Sequence, residues 1–88
     1  MEPLTVYPIV YVLACEDDCY YVGSTMDFNK RWAEHVSGRG SNFTKLHKPL
    51  RVVEIIIPEG GCLKREAEVA RQYIDKFGRE SVAGGGYK

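Results

Sequence analysis

Apolar positions run almost unbroken from Ile9 to Cys15, as expected of a buried strand, and return in Tyr20 to Ser24 after the polar turn Glu16-Asp17-Asp18 with Cys19. The two segments read as a hairpin. An odd loop centred near Asp17 makes Tyr11 and Tyr21 diagonal neighbours on one face, whereas an even loop sends them to opposite faces. Downstream, Phe28, Trp32 and Val36 recur every four positions behind the capping candidates Thr25 and Asp27, which predicts a helix ending at Gly38. Arg31 and His35 form an i, i+4 pair beside that stripe, at the border between core and solvent.

Gly38 to Pro49 is polar and broken by glycine, with a short helical turn expected around Asn42 to Leu46. The β-branched run in Leu50 to Ile57 predicts a third strand, stopped by Pro58 and Gly60. From Gly61 the period is helical again: Leu63, Ala67, Ala70, Ile74 and Phe77 make one stripe, and Gly78 ends it. At about 100° per residue Glu66 lies about 60° from the centre of that stripe, beside Tyr73, while Glu68 and Asp75 lie beyond about 120°. Glu66 is thus the inward-reaching acid, whether as a functional group or as a simple ion-pair partner of Arg31. The expected architecture is one α/β (α+β) domain over residues 1–88, with a three-stranded antiparallel sheet flanked by helices in the order β-β-α-β-α. The segment from Gly78 to Lys88, anchored by Val82 and Tyr87, either folds back on the sheet or stays mobile.

Bulk composition narrows the class. Eighty-eight residues, 44% of them hydrophobic, suit a single small core. The longest apolar run is far short of the roughly 20 residues a membrane helix needs, and the N-terminus shows no basic region followed by a long apolar stretch. A soluble, intracellular, non-secreted protein is expected. Three irregularly spaced cysteines, Cys15, Cys19 and Cys62, do not form a disulfide framework, and a lone C-x3-C lacks the second ligand pair of a zinc site. Net charge is zero, but Lys30, Arg31, Arg39, Lys45, Lys48 and Arg51 face only Glu34 between residues 30 and 51, with His35 and His47 besides. That asymmetry fits a basic, phosphate-facing side on a neutral domain.

A hydroxyl-rich strand pair, an arginine and a helical carboxylate are the parts that hold a divalent metal against a phosphodiester and deliver water to it. Their order here resembles the GIY-YIG nuclease family. Ile9-Val10-Tyr11-Val12-Leu13 takes the place of the first name-giving motif, with isoleucine for its glycine, and Tyr21-Val22-Gly23 that of the second, with valine for isoleucine. Ser24-Thr25 and the helix carrying Arg31 and His35 are similar to the family's arginine-bearing helix. Gly40-Ser41-Asn42-Phe43-Thr44-Lys45 is similar to the segment of glycine, threonine and basic residues before the third strand. Cys62-Leu63-Lys64-Arg65-Glu66 matches the spacing from a small residue to the metal-binding glutamate.

The resemblance implies a Mg²⁺- or Mn²⁺-dependent DNA endonuclease in which Glu66 ligates the metal and waters and phosphate oxygens complete its shell. Tyr11 would activate or orient the attacking water, Tyr21 would position phosphate or share that role, and His35 is a second candidate for proton transfer. Arg31 would pair with the scissile phosphate. Gly23, Ser24, Lys30, Asn42, Thr44 and Lys45 are the expected substrate contacts, and the expected products are a 5′-phosphate and a 3′-hydroxyl. With little beyond a catalytic core, cleavage should be structure-directed or weakly sequence-specific. Two rivals stay open: an inactive DNA- or protein-binding module, and a nuclease subunit that needs a protein partner.

Overall fold

In the computed structural model, which describes residues 8–84, strands β1 (Ile9–Cys15) and β2 (Cys19–Thr25) are joined by the tight turn Glu16–Asp18. Asp17 and Asp18 adopt φ of 63° and 55°, a region that aspartate tolerates better than most side chains. The connection has three residues, so the register is odd: Tyr11 faces Gly23 and Leu13 faces Tyr21. Tyr11 and Tyr21 consequently share one face of the sheet.

Strand β3 (Pro49–Ile56) pairs antiparallel with the other side of β1, with register shifts at Val12/Leu13 and Ala14/Cys15. Helix α1 (Phe28–Val36) is capped by Asp27, whose side chain accepts from the Lys30 N–H at 3.2 Å. Helix α2 (Asn42–Leu46) is the expected short turn, and α3 (Cys62–Phe77) runs from Gly61 to Gly78. Past α3 the chain returns to the sheet. Strand β4 (Val82–Gly84) lies parallel to β2, with Tyr20, Tyr21 and Val22 opposite Val82, Ala83 and Gly84.

The sheet is therefore four-stranded and mixed, in the order β3-β1-β2-β4, not three-stranded and antiparallel. The chain order gains α2 and β4 over the expected β-β-α-β-α. Three residues ending in a glycine tract carry no period to read, and only the open edge of β2 selects them as a strand. Val82 is buried as an anchor, whereas Tyr87 lies outside the described residues.

Apolar packing splits into two layers. On one face α3 covers Val10, Val12 and Val22 with Val69 and Ala70, joined by Val82; on the other Tyr11, Leu13, Cys15 and Cys19 pack with Phe28, Trp32 and Phe43. Two apolar stripes need correction. Leu63 is 80% exposed, and the buried row of α3 runs through Cys62, Val69, Ala70, Tyr73 and Ile74, which turns the packed face by about 60° towards Glu66. The addition of β4 beside β2 explains the turn, because α3 packs on both strands. On α1, Val36 is 41% exposed while His35 is buried, since α2 closes over the histidine side of the helix.

Cys15 and Cys19 face one another across the hairpin as free thiols, and Cys62 is also free. Burial pushes Cys15 up to about 12 and raises Cys19 as well, which makes both poor nucleophiles. Among the described residues no helix is long and apolar enough to cross a membrane.

Gly84 has φ of 116°, and a Cβ there would lie 1.8 Å from the Val22 carbonyl oxygen. Gly84→Ala must break the end of the β2–β4 pairing, at a cost of about 2 kcal/mol or more, seen as a melting temperature several degrees lower. An unchanged melting temperature would show that β4 does not pair in this register.

Candidate active site

The site grows from the hairpin face that carries Tyr11. This side chain is wholly covered, with its ring centroid 5.4 Å from that of Phe28 and 5.8 Å from that of His35. Its hydroxyl crosses Gly23: a Cβ at that position would lie 2.5 Å from the phenolic oxygen. Glycine at 23 thus makes room for Tyr11, and its backbone is buried rather than presented to a substrate.

His35 is 1% exposed, further inside than an i, i+4 border position implies. Its Nε2 lies 2.8 Å from the Tyr11 hydroxyl, and its Nδ1 lies 2.8 Å from the Thr44 hydroxyl. A second glycine backs the ring, since a Cβ on Gly40 would lie 2.2 Å from Nδ1. Sequence reasoning takes Gly38 as the helix stop and Gly40 as part of a polar, glycine-broken connection, and misses this role. Of the two glycines only Gly38 has positive φ, so Gly40 is required by space alone, which no local pattern signals.

Arg31 and Tyr21 form the more open rim. The Arg31 side chain is 32% exposed, its Nη1 lies 3.1 Å from Glu34 Oε1, and its guanidinium also interacts with the Tyr11 hydroxyl. Tyr21 is half-buried with its ring 5.0 Å from that of His35. Glu66 arrives from the opposite face of the sheet. Ser24, on the α3 side of β2, donates its hydroxyl to Glu66 Oε1 at 2.8 Å. The two halves meet at the Gly23-Ser24 step, near enough for the Glu66 charge to act on Tyr11.

Burial is the main force on these groups. It pushes the Tyr11 phenol up to about 12, helped by Tyr21 and Glu66 and opposed by Arg31. For Arg31 burial alone would lower the pKa, but hydrogen bonds to Tyr11 and Glu34 outweigh it and the guanidinium stays charged. Burial and the Arg31 charge push His35 down to about 4, against the pull of Glu34. At neutral pH the pair is therefore a neutral phenol on a neutral imidazole.

Lys30, Asn42 and Lys45 are exposed on α1 and α2. Thr44 is not. It is 2% exposed and turned onto His35, so its hydroxyl serves the histidine rather than a phosphate. Among the described residues no group of three or more His, Cys, Asp or Glu is gathered to hold a metal. A single carboxylate oriented by a serine still fits Mg²⁺ or Mn²⁺, hard ions that keep waters and take phosphate oxygens when one protein acid is offered. Glu66 would hold the ion.

The buried neutral imidazole ties stability to pH. Between about pH 6.5 and about pH 4 the unfolded chain binds a proton at residue 35 that the folded chain refuses, so stability falls with falling pH across that window, by roughly 3 kcal/mol in full. Denaturant titrations at pH 7 and 5 should show the loss in the native chain and a smaller one in His35→Gln. Equal losses would mean that the imidazole is not held neutral.

Comparison with known proteins places the sequence in a family. A family model described as the GIY-YIG catalytic domain covers residues 7–81. The UPF0213 protein YazA of Bacillus subtilis (strain 168) is 40% identical over 70 residues, which are 80% of this chain and 68% of the relative. A UPF0213 protein of Syntrophus aciditrophicus (strain SB) is 40% identical over 65 residues, 70% of this chain and 75% of its own length. The UPF0213 protein H16_B0156 of Cupriavidus necator is 39% identical over 64 residues, 70% of each. No solved structure matches. The chain belongs to the GIY-YIG catalytic domain family, alongside the UPF0213 proteins.

Proposed function

We propose that this domain is a metal-dependent DNA endonuclease with structure-directed or weakly sequence-specific cleavage. The observation that carries the reading is the 2.8 Å contact between the Tyr11 hydroxyl and His35 Nε2, set behind the Arg31 guanidinium and beside the Ser24–Glu66 pair. A buried phenol bonded to a buried imidazole next to a cation and a carboxylate is a costly arrangement for a core. It is useful for moving a proton.

Arg31 is charged and partly open, and its planar fork suits the non-bridging oxygens of a phosphodiester. The guanidinium also acts on the Tyr11 hydroxyl, so a phosphate drawn to Arg31 is brought towards Tyr11. With a phenol pKa near 12, free phenolate is scarce at neutral pH, so the efficient route is a relay. As the water oxygen bonds to phosphorus, its proton passes to the Tyr11 oxygen and the Tyr11 proton passes to His35 Nε2. The bond to the 3′-oxygen breaks and the leaving alkoxide takes a proton from solvent, giving a 5′-phosphate and a 3′-hydroxyl. His35 gains basicity as negative charge builds nearby, which offsets part of the lowering that burial and Arg31 impose. Glu66 would hold a Mg²⁺ or Mn²⁺ ion, which would supply Lewis-acid polarisation of the phosphate. Tyr21 lines the open side as a phosphate contact, and Lys30 and Lys45 suit the flanking backbone.

The covered state of Tyr11 and His35 favours one second reading, a nuclease subunit that opens its site only with a protein partner. Supercoiled plasmid, flaps and four-way junctions incubated with Mg²⁺ or Mn²⁺ separate the readings. The isolated chain should cut branched DNA in preference to linear duplex, and Glu66→Ala or Arg31→Ala should each slow cutting by about 10²–10³-fold without unfolding the domain. Activity that survives both substitutions would overturn the mechanism, and salt-dependent binding with intact strands under either metal would leave a binding module.

A further inference from the structure

The hydrogen-bond chain does not end at His35, and the group behind it decides which way the chain points. Thr44 Oγ1 has four polar neighbours: His35 Nδ1 at 2.8 Å, Ser41 Oγ at 3.1 Å, the Ser41 N–H at 3.2 Å and the Ser41 carbonyl at 3.3 Å. The Thr44 N–H in turn donates to Ser41 Oγ at 3.1 Å, closing a capping box that locks the threonine rotamer at the start of α2. Gly40 packs against the Nδ1 edge of the His35 ring.

We propose that Thr44 is a positioning residue that fixes the tautomer of His35, with the proton on Nδ1 and the lone pair of Nε2 aimed at the Tyr11 hydroxyl. The inference deepens the nuclease reading of this site and rests on it for the kinetic consequence alone. Hydrogen-bond accounting selects the tautomer. The Ser41 N–H can only donate and the Ser41 carbonyl can only accept. With the Thr44 proton on that carbonyl, its oxygen offers a lone pair to Nδ1, which must then carry hydrogen; Nε2 accepts from Tyr11, and every group is satisfied.

The reversed chain fails at its other end. If Thr44 donates to Nδ1, then Nε2 carries hydrogen and donates to the Tyr11 oxygen. The buried phenol must then send its own proton elsewhere, yet its other hydrogen-bonding neighbour among the described residues, Arg31, has donors only. The first arrangement also prepares catalysis. When His35 takes the Tyr11 proton, the Nδ1–H bond to Thr44 is already made and stabilises the imidazolium without any motion.

The test is the pair of ring nitrogens of His35, read by long-range ¹H–¹⁵N correlation on the full chain at pH 7.5. The native chain should show a pyrrole-type Nδ1 and a pyridine-type Nε2; Thr44→Ser should keep that pattern, and Thr44→Val, in which neither arrangement satisfies every group, should shift both signals towards a mixture of the two tautomers. On supercoiled plasmid with Mg²⁺, Thr44→Val should lower kcat at least about tenfold with little change in KM, and Thr44→Ser should restore it. A pyridine-type Nδ1 in the native chain overturns the proposal whether or not a variant folds, and so does a native tautomer retained in Thr44→Val. The predicted tautomers in a chain that cuts no DNA would instead support the positioning role and defeat the nuclease reading.

Discussion

A three-residue turn decides which face of the sheet the candidate-site residues of β2 share with Tyr11. Because the Glu16–Asp18 connection is odd, Tyr11 and Tyr21 point together towards α1, while Ser24 points towards α3 and meets Glu66. A slip of one residue would exchange the faces of β2, carrying Tyr21 to the aliphatic side with Val22 in its place. The positive φ values of Asp17 and Asp18 are the local cost of that register. Both halves of the candidate site then converge at Gly23-Ser24, where a glycine lets the Tyr11 ring cross the strand.

Behind that convergence lies a polar column through an apolar layer. Tyr11, His35 and Thr44 are all buried, and leaving any one of their polar atoms unpaired would cost about 1–3 kcal/mol. Each is paired with the next, and among the described residues no buried side-chain nitrogen or oxygen lacks a partner. Aromatic rings on either side, from Tyr21, Phe28 and Phe43, keep the column dry, and dryness is what separates the phenol and imidazole from their solution pKa values.

Period and spacing expose a good part of this. The hairpin strands, the cap at Asp27, the turn at Asn42 to Leu46 and the helix from Gly61 to Gly78 all follow from local rules. The choice of Glu66 over Glu68 follows from helical geometry, and the packed face is turned further towards it than the Leu63 stripe implies. What stays hidden depends on contacts distant in sequence. Nothing near His35 reveals that α2 will cover it, and Thr44 reads as a surface threonine until Ser41 and His35 are seen around its oxygen. Gly40 resembles any loop glycine, and β4 is a strand solely because β2 has an edge to fill.

The placement of β4 gives the domain a particular order of assembly. Both central strands, Ile9–Cys15 and Cys19–Thr25, are close neighbours in sequence and can pair early, whereas the outer edge of β2 waits for residues 82–84, which come after the whole of α3. During synthesis the edge nearest Tyr21 therefore displays unpaired backbone until those last strand residues leave the ribosome, a window in which another nascent chain could add itself there instead.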